Sequence, residues 1–229
     1  MGLALMQVLV SQGASVAIVS RSGEALETAV NTVSLNLRDN VFCVVADVRD
    51  EEQVKAGITQ VVEKYGRIDI LINCAGVSQR KPYPIAEMEF GEFKRIMDTN
   101  VDGTLLVTRE VLKEMKRLNS GYIINILSTG AFKVGAGGAA YSASKFAARA
   151  ITEALIADCR GSGIRVTSIS PGPVNTNIWS HKAEPVPEER KAKMLQGSDI
   201  AQIVTFLLNT GDNVHIDNIT VEPWRSIYK

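Results

Sequence analysis

Histidine is scarce: the 229 residues hold two, His181 and His215, without metal-ligand spacing, so no catalytic metal is expected. Cysteine is scarce as well. Cys43, Cys74 and Cys159 are odd in number and widely spaced, which argues against a disulfide framework or a zinc set. They read as small buried hydrophobes in a reducing, cytoplasmic setting. Neither sign of charge is in excess, with 25 Lys and Arg against 25 Asp and Glu, so no net field draws the chain to nucleic acid or to an anionic membrane. No apolar run reaches the ~18 residues of a membrane-spanning helix. The apolar opening has no cation ahead of it, the first being Arg21, which argues against the usual secretory signal. Met6 stands where a myristoylation signal needs Ser or Thr. What is left is a chain of the size of one α/β domain, long enough to bury a sizeable core.

A strand is also lacking where one belongs. The opening MGLALMQVLVSQG has the apolar spacing of a helix over 2–12, with Gly13 as its natural stop, and leads into a short apolar strand at 15–20. From there helices and strands alternate: helix 23–37, strand 41–46, helix 50–64, strand 68–73, a long helical stretch about 87–118, strand 121–127, helix 140–160 and strand 164–170. A Pro-rich irregular region, 171–197, precedes helix 198–209 and a last strand near 216–222. The strands are continuous apolar runs, as expected when helices cover both faces. Alternation of this kind predicts a Rossmann-like, doubly wound parallel sheet in a single domain, 1–229. No strand precedes helix 2–12.

In such sheets ligands bind beyond the carboxyl ends of the strands. Polar residues gather at those ends: Ser20, Arg21 and Ser22; Asp47; Asn73 to Gly76; Ser128, Thr129 and Gly130; and Pro171, Gly172 and Pro173. On helix 140–160, Tyr141 and Lys145 are four apart and share a face. An unperturbed Tyr titrates near ~10 and is a poor acid or base at neutral pH, so a neighbouring ammonium is expected to lower its pKa by about two or three units.

Asn100, in MDTNVDG, interrupts the long helical stretch and, together with Ser128, Tyr141 and Lys145, resembles in order and context the catalytic tetrad of the short-chain dehydrogenase/reductase family. Asn73-Cys74-Ala75-Gly76 resembles its N-N-A-G segment, with Cys74 departing from the usual Asn. Asp47-Val48 is similar to its D-V adenine contact, and PGPVNTN, 171–177, to its nicotinamide segment, which carries Pro171, Gly172, Val174 and Thr176. The resemblance implies that Tyr141 exchanges a proton with the substrate oxygen, that Ser128 hydrogen-bonds that oxygen, and that Lys145 holds the nicotinamide ribose. It implies that Asn100 positions a relay water. Asp69, opening strand 68–73, reads as structural.

The resemblance also bears on the start. Met1-Gly2-Leu3-Ala4 is similar to the tail of the family's T-G-x-x-x-G-I-G turn, with Gly2 as its last glycine. It implies a strand order of 3-2-1-4-5-6-7 in which the absent strand is number 1. Strands 15–20 and 68–73 are then expected to flank a strand-wide gap of about 9–10 Å. Roughly 15–20 further residues are expected ahead of Met1. Gly135 to Ala140 fits G-x-G-x-x-[GA], but strand 121–127 ends well before it, and Asp158 falls inside a helical pattern. The stretch 131–138 reads instead as a flexible wall of the substrate cleft.

At the end of strand 15–20 an NAD-selecting site places an acid. Here Ser20 stands there and Arg21 follows, which suits a 2′-phosphate, so the expected cofactor is NADP(H), with NAD(H) as the alternative. The resemblance implies a reductase interconverting a small-molecule carbonyl and a secondary alcohol. An NAD-dependent alcohol or hydroxy-acid dehydrogenase and a truncated, cofactor-free relative are the alternatives. It implies a lid at about 177–197 and a homo-oligomer, tetramer or dimer, through helices 87–118 and 140–160, with Ala147, Ala148 and Ala150 allowing close approach. Arg80 and Lys81 read as solvated charges.

Overall fold

Helices and strands alternate along the computed structural model, which describes residues 1–224. The elements are α1 (Gly2–Ser11), β1 (Val16–Ser20), α2 (Gly23–Asn31), β2 (Val41–Val45), α3 (Glu51–Tyr65), β3 (Ile70–Asn73), α4 (Phe90–Met97) and α5 (Gly103–Leu118). They continue as β4 (Gly121–Ile126), α6 (Ala139–Cys159), β5 (Ile164–Pro171), α7 (Glu188–Lys191), α8 (Gly197–Leu208) and β6 (Asn218–Val221). Gly13 ends the first helix at φ 89°, a left-handed conformation that a side chain disfavours.

Two expected helices differ. The stretch 23–37 stops at Asn31 because the Thr32 hydroxyl bonds back to the Ala29 carbonyl and competes with the helix ladder; a 3-10 turn, Leu35–Asn40, follows. The stretch 87–118 is not one helix. α4 and α5 are separated by a π-turn at Asp98–Asp102, which carries Asn100.

All strand pairs are parallel, but they form two sheets, β1-β2 and β3-β4-β5-β6. β1 and β3 do not pair, and among the described residues no strand lies hydrogen-bonded between them. The break falls where the resemblance placed the family's first strand. Burial records it. β4 is buried from Tyr122 to Ile126, whereas Val19 on β1 and Ile70 on β3 are 47% and 38% exposed although both strands read as interior ones.

The helix layers span the break. On one face Val61, Val111, Met115 and Leu155 pack against Val44 beside Ile123 and Val166, so one cluster touches both sheets. On the other, Leu5, Ile200 and Val204 cover Tyr122, Ile124 and Ile169, while Met6 and Val10 pack with Val33, Val16 and Ile18. The carboxyl ends of all strands thereby face one rim.

Candidate active site

Tyr141 sits in the first turn of α6 and Lys145 one turn on, with its Nζ 5.9 Å from the Tyr141 ring centre. Ser128, at the tip of β4, is extended, accepts from the Gly130 N–H at 3.0 Å and hydrogen-bonds the Tyr141 hydroxyl. Burial pushes the Tyr141 pKa up, and the Ser128 hydrogen bond offsets this in part. This corrects the expectation of a lowered value. The Lys145 ammonium is itself buried, and burial lowers its pKa to about 8. Its Nζ donates to the Ile126 carbonyl at 3.1 Å, the one protein acceptor it meets among the described residues. An ammonium has three donors, so two have no protein partner.

Asn100 is fully buried on the π-turn, which turns its side chain toward the loop after β3. Its Oδ1 accepts from Val77 N–H at 2.8 Å, and its Nδ2 donates to the Val77 carbonyl and the Ser144 hydroxyl, each at 2.9 Å. Both amide hydrogens are thus committed, and one Oδ1 lone pair is what remains for a water. Ser144 in turn donates to the Tyr141 carbonyl at 2.7 Å. Asn100 therefore ties the loop after β3 to the helix that carries Tyr141.

Asn73 donates to Thr108 Oγ1 and Asn125 Oδ1, both at 2.8 Å, so its amide joins β3 to α5 and β4 rather than projecting into the cleft. Ala75 and Gly76 are exposed beyond it, and a Cβ at Gly76 would stand 3.8 Å from Lys145 Nζ. Cys74 faces α1 instead: its Sγ lies 3.3 Å from where a Cβ at Gly2 would stand. Pro171 closes β5, and Gly172 donates to the Val221 carbonyl at 2.7 Å. Val174 is buried and bridges to Leu195, while Thr176 caps the turn Asn177–Trp179.

At the far side of the rim, the Ser20 hydroxyl accepts from Ser22 N–H. Arg21 is exposed, with its guanidinium 4.0 Å from Asp47. Asp47 is held by Arg49 at 2.6 Å, and that pairing keeps its carboxyl below the usual range. Val48 packs against Gly103 at the start of α5. Gly2 opens α1, whose N-terminus has no side-chain cap. Asp69 pairs with Arg67 at 2.6 Å, away from the rim.

Sequence reasoning missed four residues: Gln79, Ser144, Glu92 and Lys182. The buried Glu92 accepts from Arg80 N–H and pairs with Arg95, whose guanidinium donates to the Ser78 carbonyl. Lys182 Nζ donates to the Gln79 carbonyl at 2.6 Å and to Ser78 Oγ at 3.1 Å, which seats segment 177–183 on the loop after β3. Apart from the Glu92–Arg95 pair, these contacts join residues 12 to 104 positions apart in the chain. The residue types alone, a Gln and a Lys in polar stretches, carry no signal. Among the described residues no cluster of three His, Cys, Asp or Glu side chains could hold a metal ion, and no helix is long and apolar enough to cross a membrane.

Comparison with known proteins bears on this arrangement. The family model described as short chain dehydrogenase matches residues 1–186. An uncharacterized oxidoreductase of Staphylococcus aureus (strain USA300) is 35% identical over 222 residues, covering 97% of this chain and 92% of that protein. Among solved structures, the closed form of a serine dehydrogenase complexed with NADP+ is 28% identical with a TM-score of 0.83, over 96% of this chain and 90% of that one. A 3-ketoacyl-(acyl-carrier-protein) reductase from Brucella melitensis complexed with NADH is 27% identical with a TM-score of 0.86, over 98% and 94%.

Proposed function

The chain belongs to the short-chain dehydrogenase/reductase family of oxidoreductases, and from that premise we propose that it is an NADPH-dependent reductase of a small-molecule carbonyl. The observation that carries this reading is the cluster of the half-buried Tyr141 and Ser128 with the buried Lys145, in which two ammonium donors have no protein acceptor. A buried donor without a partner costs stability. The hydroxyls of a nicotinamide ribose would satisfy those donors, so the residues present fit the cofactor.

When bound, the nicotinamide supplies the hydride. The chain does the rest. Ser128 donates a hydrogen bond to the substrate oxygen where charge develops. Tyr141, protonated at neutral pH, delivers its proton to the same oxygen, and the alcohol forms. Asn100, through Val77 and Ser144, fixes the loop and helix between which the substrate lies, and its free lone pair can hold the relay water. Gly2 and the uncapped start of α1 would face the pyrophosphate. Asp47 and Val48 would flank the adenine, and Ala75 and Gly76, with the backbone of Asn73, the ribose. Pro171, Gly172, Val174 and Thr176 would border the nicotinamide, under a lid formed by 177–197. The absence of an acid after β1 and the presence of Arg21 there support the 2′-phosphate form, as does the NADP+ held by the serine dehydrogenase relative.

Two observations favour the NAD-dependent alternative: Asp47 stands 4.0 Å from Arg21 and offsets its charge, and the Brucella relative holds NADH. Arg21→Ala separates the two. It is expected to weaken NADPH binding by roughly 1.5–3 kcal/mol, the scale of a charge-assisted hydrogen bond, and to leave NADH nearly unchanged. An equal loss for both, in a fluorescence titration, overturns the 2′-phosphate role. Turnover of a carbonyl panel with NADPH tests the activity itself. No reduction of any carbonyl, with NADPH bound, overturns the reading.

We further propose a cytoplasmic homo-oligomer, tetramer or dimer. Phe90 on α4, Leu105 on α5 and Phe146 on α6 are exposed apolar side chains on the helices expected to pair. Ala148 is not among them. It is buried within its own subunit against Leu127 and Ala131, because it faces the sheet side of α6. Light scattering at micromolar concentration should give two or four times the chain mass; a monomer refutes the assembly.

A further inference from the structure

We propose that Gln79 is a positioning residue: its side chain caps the catalytic helix α6 from 62 residues away and so sets where Tyr141 stands. The proposal rests on the reading of Tyr141 as the acid. Its ground is an omission in α6. The N-cap of this helix is Gly138, which has no side chain to offer the first turn. The first N–H groups of a helix have no intrahelical acceptor and need partners from elsewhere. The Gly138 N–H finds the Gly135 carbonyl at 3.0 Å. The Tyr141 N–H finds Gln79 Oε1 at 3.2 Å. The residue that carries the reacting hydroxyl is thus held, at its own backbone, by a side chain from the loop after β3.

The chemistry of the site specifies glutamine. Gln79 is buried, and its Nε2 donates to the Lys81 carbonyl at 3.2 Å and to the Gly137 carbonyl. One N–H to accept and two carbonyls to serve admit a single orientation of the amide. Glutamate would keep the acceptor but face two carbonyls with a carboxylate; methionine would keep the length and lose every hydrogen bond.

The glycine run before α6 now has a use. Gly137 has φ 70°, and a Cβ there would come within 2.7 Å of Pro82 Cβ. Its bare backbone lets the Gly137 carbonyl reach both Gln79 and the Tyr83 N–H, the latter at 3.0 Å. The other side of Gln79 is held as firmly. Its own carbonyl seats Lys182, the Ala183 N–H donates to the Arg80 carbonyl at 2.9 Å, and Arg80 N–H is held by Glu92 at 2.9 Å. Segment 177–183 and the first turn of α6 therefore meet at one residue, so docking of that segment bears on the alignment of Tyr141.

The test compares Gln79→Met and Gln79→Glu with the full chain. Amide hydrogen exchange reads the cap directly and does not depend on activity. In Gln79→Met, exchange at the Tyr141 amide is expected to rise at least about tenfold while amides in the last turns of α6 stay as they are. In Gln79→Glu, which keeps the acceptor, Tyr141 stays protected. Turnover should follow: kcat falls about five- to fiftyfold in the Met variant, the effect of a small misplacement, with NADPH affinity unchanged and a smaller loss in the Glu variant. Unchanged Tyr141 exchange in the Met variant overturns the cap. Equal kcat losses in both variants, or a rise in KM alone, overturn the positioning role and leave a loop anchor. If the wild type reduces no carbonyl, the proposed function fails, and the exchange result still decides whether Gln79 caps α6. If the Met variant does not fold, the Glu variant decides: it must keep Tyr141 protected, and loss of that protection overturns the proposal.

Discussion

Tyr141→Phe is expected to lower turnover by at least the ~10²-fold that loss of a general acid removes, with NADPH affinity nearly unchanged. The ring survives the change, so the packing of the first turn of α6 and the contact to Lys145 remain, and what disappears is the hydroxyl shared with Ser128. Because burial raises the Tyr141 pKa, the group stays protonated across the neutral range in the cofactor-free protein. The carbonyl-reducing direction should therefore lose nothing to Tyr141 ionisation below the ordinary Tyr range, and a fall in rate near pH 8 would report Lys145, whose pKa lies at about 8. Steady-state rates with NADPH and a reducible carbonyl, followed from neutral to alkaline pH, check both points. Near-normal turnover in the Phe variant would remove Tyr141 from the chemistry.

Lys145→Met should abolish measurable turnover and yet make the cofactor-free protein more stable. The ammonium is buried with one protein acceptor, and its pKa falls from 10.5 to about 8 on folding. At pH 7 both folded and unfolded chains carry the charge, and the folded chain bears its desolvation, about 3 kcal/mol at ~1.4 kcal/mol per pKa unit. Between about 8 and 10.5 the unfolded chain binds more protons than the folded one, so wild-type stability rises with pH through that window. Methionine has no charge to bury and similar length. Its advantage should be largest at neutral pH and vanish as pH approaches 10.5. Urea unfolding of both proteins at neutral and alkaline pH tests this. A Met variant that is less stable at pH 7 would show that the ammonium is stabilised by something other than the partners described. A stability given up at the residue that would hold the ribose is what a site built for function rather than for the fold implies.

The two substitutions also separate what was legible in the chain from what was not. The alternation of elements could be read because hydrophobic period and strand-end polarity are local signals. Residues 15–20, 41–46, 68–73, 121–127 and 164–170 all contain strands, and their ends meet at one rim. The interruption at Asn100 was visible as a helix-breaking N-V-D-G, though its form, a π-turn between two helices, was not. The spacing of Tyr141 and Lys145 brought the two together by helix geometry alone. Even the break between β1 and β3 was expected, because the resemblance placed a further strand between them and a parallel sheet of this winding has a definite neighbour for each strand.

Tertiary structure decided the rest. The sign of the Tyr141 shift depends on how deeply the turn is buried and on where the Lys145 ammonium points, toward the Ile126 carbonyl rather than the phenol. The commitment of Asn73 to Thr108 and Asn125, the burial of Ala148 and the seating of Lys182 on Gln79 all join residues 17 to 103 positions apart. Gln79 shows the reason most plainly. Its role is set by an uncapped helix that arrives 62 residues later, and a hydrogen bond of that kind leaves no periodic or compositional trace. The sequence by itself determined which elements form and which polar residues end them, since those follow from local pattern and burial of apolar faces. Which of those polar groups face one another, and with what pKa, was decided by the packing that removes them from water.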